Sequence, residues 1–379
     1  MSRRLIAVVL IACIVGAATA VAVWARGADT WDGIGVQPWQ EGDPTFAPVG
    51  QRPPIVGSNY HGLWDDMTDE VRARSLDELR AAGVEWVRLD ISWAELQPTS
   101  PDSFDLEWGV PRIEQRIAEI NSRGMKVLLL VYWGPAWATG TNSKNGVPTN
   151  PQDYARAMAW VAERWRGQVQ AIELWNEPDL ETFLANTSVE TYTGLVSAAY
   201  PAIKAVNPDI TVIAGAPTYV KTDWYRQFFE LGGAGNFDAL GVHPYVGQSD
   251  QPPETCVQDA DIIYYPCNIP NLIQLMRDNG QGDKTIWATE YGWSSHEDEP
   301  DAKTWQLGVT EAEQADFLLR MQQYLGQFPE VEASFWYTER NTAKGDVHED
   351  NFGLLTREFD RKPAYFAIKC AASGVCGPT

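Results

Sequence analysis

This 379-residue sequence predicts an α/β protein. Its architecture would be a single (β/α)8 TIM barrel, preceded by an N-terminal apolar segment and an irregular arm. Three observations predict it. From residue 55 onward the chain repeats apolar strand, loop and amphipathic helix. Candidate strands start near Ile55, Val84, Lys126, Gln170, Ile210, Phe237, Thr285 and Val331, and each interval is long enough for a strand plus one crossover helix. Second, the strands are near-continuous apolar runs such as Val127–Val131 and Thr211–Ala214, as suits strands buried on both faces of a parallel sheet. Third, the longest loops, about 133–149, 244–267 and 339–361, all follow strands and so gather at the C-terminal mouth of a barrel. A doubly wound open sheet is the rival, but it usually carries a glycine-rich phosphate turn, and neither GxGxxG nor GxxxxGK[ST] occurs.

In chain order, Met1–Arg4 holds two arginines and Leu5–Trp24 carries no charge. That pattern is a secretory signal or a membrane anchor over 1–24. Ala18-Thr19-Ala20 offers a small-residue cleavage site. Leu10-Ile11-Ala12-Cys13 resembles a lipoprotein box, although apolar residues continue past it. Arg3 and Arg4 place the N-terminus in the cytoplasm, so the rest is exported, either secreted or held on the outer face of the membrane. Residues 25–54, rich in Gly, Pro, Asp and Gln, read as a linker or arm, and 55–379 as the catalytic barrel.

The helices have legible ends. Ile113, Ile117 and Ile120 form an apolar stripe closed by Gly124. Asn150 and Pro151 supply an N-cap and first-turn proline ahead of Tyr154, Met158, Val161 and Trp165. Ser188–Val206 reads as a helix that Pro201 should kink. Thr310 with Glu313 makes a capping box before Leu318, Met321 and Leu325. Beyond the leader, Cys256, Cys267, Cys370 and Cys376 allow three disulfide connectivities, of which the local pairs Cys256–Cys267 and Cys370–Cys376 are simplest. A zinc site is the weaker alternative, because the spacing is wrong and no histidine is close.

Composition narrows the function. With 44% hydrophobic and 21% charged residues the chain can bury a core. Its formal charge of −22 excludes a basic nucleic-acid groove and works against strongly anionic substrates at long range. Tryptophan outnumbers phenylalanine, 17 to 12, which suits flat apolar faces that stack on sugar rings. The four histidines, at 61, 243, 296 and 348, form no HExxH or HxH pattern, so no metal or other cofactor is expected.

Two segments carry the chemistry. Ile172-Glu173-Leu174-Trp175-Asn176-Glu177-Pro178 reads as strand four ending in a carboxylate. Strand alternation would put Glu173, Trp175 and Glu177 on one face. Ile286-Trp287-Ala288-Thr289-Glu290-Tyr291-Gly292-Trp293 brings Glu290 to the mouth of strand seven. Glycoside cleavage needs two such carboxyls facing one another: one protonates the leaving oxygen, while the other attacks or activates water.

These segments resemble a known family. Trp175-Asn176-Glu177-Pro178 is similar to the acid/base signature of the retaining glycoside hydrolases of clan A. Thr289-Glu290-Tyr291-Gly292-Trp293 resembles the clan's nucleophile strand. The likeness is greatest to family 39 and the exopolysaccharide endoglycosidases beside it, with family 5 sharing much of the signature. The resemblance implies Glu177 as general acid then base, Glu290 as nucleophile, and Asn176 on the sugar 2-hydroxyl. It also implies that Arg88 pairs with the nucleophile, that the Tyr245 hydroxyl reaches it, and that His243 lines the pocket. Trp336 would be the floor beneath the reacting sugar. Trp133 and Trp137 would either stack its neighbour or pack within their loop, and Asn59 and His61 would bind hydroxyls. Glu339, His348 and Glu349, in the loop after strand eight, read as solvated surface, with the reading of substrate charge as the alternative.

The expected partner is a poly- or oligosaccharide, cleaved by double displacement in endo fashion. An exo-acting β-xylosidase-like enzyme, a transglycosidase and a non-catalytic carbohydrate-binding barrel are the alternatives. The sequence leaves the oligomeric state open.

Overall fold

A computed structural model describes residues 54–256 and 265–374. The signal or anchor, nearly all of the arm and Cys376 lie outside the described residues. Among these no helix is long and apolar enough to cross a membrane.

Eight parallel strands close into one barrel in sequence order, with β8 returning to pair with β1. They are β1 Ile55–Tyr60, β2 Trp86–Ser92, β3 Lys126–Tyr132, β4 Ala171–Leu174, β5 Thr211–Ala214, β6 Ala239–Val242, β7 Thr285–Tyr291 and β8 Val331–Trp336. The principal helices are α1 Asp69–Ala81, α2 Gly109–Asn121, α3 Pro151–Arg164, α4 Val189–Val206, α5 Thr222–Phe228, α6 Ile269–Asp278, α7 Glu311–Leu325 and α8 Pro363–Ser373.

The sequence signals act as expected at several helix ends. The Asn150 side chain accepts from the Gln152 N–H, and Thr310 and Glu313 form a reciprocal capping box. Helix α4 runs through Pro201 as one element, capped by Ser188. The α2 stripe of Ile113, Ile117 and Ile120 is wholly buried. Each such side chain contributes roughly 1.5–3 kcal/mol through burial.

Inside the barrel the side chains form layers. The bottom is an apolar plug of Trp86, Leu128, Ala171, Ile213, Ala239, Trp287, Ala333 and Phe335. Its bulk needs a gap on the neighbouring strand: a side chain at Gly57, the register partner of Phe335, would meet that ring at 2.3 Å. The next layer toward the mouth is polar and carries Asn59, Arg88, Glu173 and Thr289. Cys256 and Cys267 are joined, with their Cα atoms 5.8 Å apart, in the loop after β6. Cys370 is disulfide-bonded as well.

Strand alternation fails at two places, and both shape the mouth. At the end of β4, Trp175 has φ 72° and Glu177 φ 35°, in the left-handed region. The expected shared face is therefore broken. Glu173 points inward, but Trp175 packs outward against Tyr154 of α3, with ring centroids 5.6 Å apart. In β7 the register against β8 shifts between Ala288 and Tyr291. Thr289 and Glu290 both reach inward as a result, whereas Tyr291 turns out to Gln322 of α7.

Candidate active site

The mouth of the barrel holds a cavity of about 670 Å³. Glu177 and Glu290 reach into it from β4 and β7, each about nine-tenths buried. One oxygen of each carboxyl and one ring nitrogen of His243 all lie within 4.8 Å of one another.

Arg88 of β2 organises the floor. Its Nε donates to Glu173 Oε2 at 2.6 Å. Nη1 donates to Glu290 Oε1 at 2.5 Å and Asn59 Oδ1 at 2.8 Å, and Nη2 to Asn176 Oδ1 at 2.9 Å. Glu173 is anchored in turn by the Thr289 hydroxyl at 2.8 Å. The Tyr245 hydroxyl donates to Glu290 Oε2 at 3.1 Å. His243 Nδ1 bonds Glu177 Oε1 at 2.9 Å, and its Nε2 lies 3.8 Å from Glu290 Oε1.

These contacts separate the two carboxyls electrostatically. Burial raises the Glu177 pKa above the ordinary glutamate value; the charges of Glu290 and Asp179 add to the rise, and His243 opposes it. Burial also pushes Glu290 upward, but His243, Arg88 and the Tyr245 hydroxyl prevail and hold it below the ordinary value. Burial opposes the charge on His243, yet Glu290 and Glu177 raise its pKa. Such a site has one carboxyl suited to donating a proton and one suited to staying ionised. Glu177, His243 and Glu290 are also a possible metal triad. The Glu290 carboxylate, however, already holds the Arg88 guanidinium, which supplies the positive charge there.

The other expected contacts divide. His61, Arg88, Trp133, Asn176 and Tyr245 line the cavity. His61 is oriented by Asp90 at 2.8 Å, and the buried Trp133 indole N–H has no partner among the described residues. His243 is fully buried beneath the carboxyls and does not line the cavity. Asn59 also lies below it. Its amide is spent on the Thr289 and Trp336 carbonyls and on Arg88, so it positions Arg88 instead of meeting sugar.

Trp137 packs on Trp93 and donates to the Gln97 carbonyl at 2.7 Å, away from the cavity. Trp336 is not the floor. It faces outward, fully buried, donating to the Phe352 carbonyl at 3.0 Å and packing on Tyr291. Its neighbour Tyr337 lines the cavity instead. Parity carried the signal: Phe335 points into the plug, so 337, not 336, follows on that face. His348 and Glu349, read as solvated, line the cavity, and Glu339 is buried against Thr338. Trp64, Tyr132, Phe183, Tyr219, Trp293, Trp305 and Phe352 also line the cavity, and sequence reasoning assigned none of these seven to the site.

The family model described as Cellulase (glycosyl hydrolase family 5) matches residues 47–322. No curated protein sequence matches the chain. Among solved structures, a family 39 glycoside hydrolase from Bacteroides cellulosilyticus WH2 is similar at 23% identity and TM-score 0.66, over 85% of this chain and 64% of that one. The chain thus spans just under two thirds of that relative's length. A monomeric β-xylosidase from Caulobacter crescentus CB15 is similar at 18% identity and TM-score 0.61, over 87% and 70% of the two chains. A GH5_18 variant from Streptomyces cattleya in complex with Manβ1-4GlcNAc gives 18% identity and TM-score 0.63, over 84% and 80%.

Proposed function

The chain belongs to the cellulase family of glycosyl hydrolases, family 5, and from that membership we propose that it is a retaining β-glycosidase acting on a poly- or oligosaccharide by double displacement. The observation that carries the reading is the closeness of Glu177 and Glu290, within 4.8 Å between carboxyl oxygens. Retaining enzymes place their carboxyls about 5–5.5 Å apart, whereas inverting ones leave about 6.5–9.5 Å for a water.

Glu177, kept protonated by burial, protonates the leaving oxygen as Glu290 attacks the anomeric carbon. The ionised Glu177 then takes a proton from water, which releases the sugar from Glu290. Arg88 and Tyr245 keep the nucleophile charged and aimed. Because Asn176 Oδ1 is held by Arg88, its amide nitrogen is left to donate to the sugar 2-hydroxyl, a contact that tightens in the transition state.

Endo action is favoured by the opening of the cavity into a second chamber, which gives room for several sugars. Export is part of the reading, and the Cys256–Cys267 bridge supports it.

Azide rescue tests the roles. Glu177→Ala and Glu290→Ala should each nearly abolish turnover of an aryl β-glycoside. Azide should then return a β-glycosyl azide from the first and an α-glycosyl azide from the second. Equal, mild losses in both variants would reject the assignment, and a mechanism-based label landing elsewhere than Glu290 would do the same. Product sizing on polysaccharide separates endo from exo cleavage.

A further inference from the structure

The second chamber has a volume of about 450 Å³ and lies between the loops that follow β1, β2, β3 and β8. It shares Trp64, Asp90, Tyr132, Trp133 and Lys344 with the catalytic cavity, so a sugar chain leaving the reacting position enters it directly. Cations cover its aromatic walls. Lys344 Nζ lies 3.4 Å from the centroid of Trp64, an indole that also stacks on His61, and Lys144 Nζ lies 4.7 Å over Trp133. Arg112 and Arg357 complete the basic set.

Pairing decides what this set can do. Among the described residues, no carboxylate lies within 4.0 Å of Lys144, Lys344 or Arg357. The acids of the same wall are mostly engaged elsewhere: Asp90 with His61 at 2.8 Å, Glu95 with Arg112 at 3.3 Å, and Asp66 with Arg340 at 3.2 Å. Among the described residues of this wall Asp65 is exposed without such a partner, and Glu349 of the catalytic cavity is the carboxylate whose charge acts most on Lys344. Lys344 is presented on a braced turn, in which Asp350 accepts from the Thr342 hydroxyl at 2.6 Å and from the backbone N–H groups of Lys344 and Gly345 at 2.7 and 2.9 Å. In a protein of net charge −22, this wall balances four basic side chains, Arg112, Lys144, Lys344 and Arg357, against four acidic ones, Asp65, Asp66, Asp90 and Glu95.

We propose that the chamber is a subsite for a sugar unit bearing a carboxylate, lying beside the reacting sugar, with Lys144 and Lys344 as its charge partners. The proposal rests on the glycosidase reading and adds a substrate class to it. The overall negative charge repels a densely anionic polymer at long range, but a single carboxylate inside the chamber lies closer to these ammonium groups than the screening length in salt. The substrate is therefore a mixed polysaccharide with an occasional acidic unit. Lysine suits this role, since its ammonium is a movable point charge that needs no bidentate partner.

The test uses a β-linked heteropolysaccharide with one glucuronate per repeat and the same polymer after carboxyl reduction. Each is titrated against the full chain carrying Glu290→Gln, so that binding is read without cleavage. The acidic form should bind about fivefold more tightly, as for two part-exposed ion pairs, and less so as salt rises. Adding Lys144→Met with Lys344→Met should remove the preference, and Lys344→Arg should keep it. Equal binding of the two polymers, no binding of either, or a preference that survives loss of both lysines overturns the proposal. Aryl β-glycoside turnover by the chain without Glu290→Gln is measured alongside. If that turnover is present and the preference absent, only the subsite fails. If turnover itself is absent, the glycosidase reading fails.

Discussion

Replacing Arg88 with lysine asks whether one guanidinium organises the site. Three of its nitrogens donate four hydrogen bonds, to Glu173, Asn59, Glu290 and Asn176. A lysine keeps the charge, but its single nitrogen cannot serve positions that the planar fork reaches with three. About two of the four bonds should be lost. Hydrogen bonds to charged groups are worth roughly 1.5–3 kcal/mol each, so about 3–6 kcal/mol of organisation leaves a buried cluster.

Part of that falls on folding and lowers Tm. If one bond's worth falls on the transition state, kcat/KM drops about 10- to 150-fold. The pH profile adds a sign. Glu290 must be ionised to attack. Burial raises its pKa, and His243 and Arg88 overcome that. A less well-placed cation pulls it down less, so the acid limb of kcat/KM moves to higher pH. The assay is steady-state hydrolysis of an aryl β-glycoside across pH, with thermal unfolding as the folding control. A variant within about threefold of the parent, less than one such bond is worth, with an unmoved acid limb, would refute the reasoning.

His243→Gln removes a cation that lowers both Glu177 and Glu290. Both limbs of the bell-shaped kcat profile should move to higher pH, and a profile that stays in place counts against His243 as the shared partner. Trp336→Phe and Tyr337→Ala should separate cleanly. The first loses the indole bond to Phe352 and about 1 kcal/mol of stability with KM little changed. The second raises KM on oligosaccharides with Tm nearly unmoved, and the reverse pattern would restore Trp336 as the floor. Reducing Cys256–Cys267, whose partners are 11 residues apart, should cost about 2–4 kcal/mol in urea unfolding. No change on reduction would show that the loop is held by its other contacts.

Much of the fold was legible because a parallel barrel imposes a strong pattern. Strands buried on both faces must be apolar throughout, and helix caps need particular side chains, so Asn150 and Thr310 marked real helix starts. The carboxyls were legible because strand ends at a barrel mouth are where reactive groups gather. The aromatic floor was legible only through strand parity, since Phe335 in the plug turns Tyr337, and not Trp336, toward the cavity, whereas the irregular backbone at the mouth of β4 and β7 was not legible at all. Nothing local to Trp175 announces its positive φ, and nothing in β7 announces the register shift that brings Thr289 and Glu290 to one side. Trp137 was misplaced for a different reason. Its partners, Trp93 and the Gln97 carbonyl, lie some 40 residues away, and no short motif encodes that contact.

The polar cluster balances its charge in a way that bears on the proposed reaction. It holds three carboxyls, Glu173, Glu177 and Glu290, against two cations, Arg88 and a histidine whose pKa is raised by its carboxylate neighbours. If all three carboxyls were ionised, one negative charge would remain uncompensated in a largely buried site, which is costly. A single proton on Glu177 brings the cluster to neutrality before reaction. When Glu290 becomes an ester on the double-displacement path its charge disappears, and Glu177 gives up its proton to the leaving group. Glu173 and Glu177 then face Arg88 and His243, again neutral. The charge that helped to keep Glu177 protonated is the one that the first step removes, so the same residue can act as acid and then as base with no movement of the backbone. His243 is central to this exchange because it lies against both carboxyls, and its charge is the part of the balance that neither Arg88 nor Tyr245 can replace.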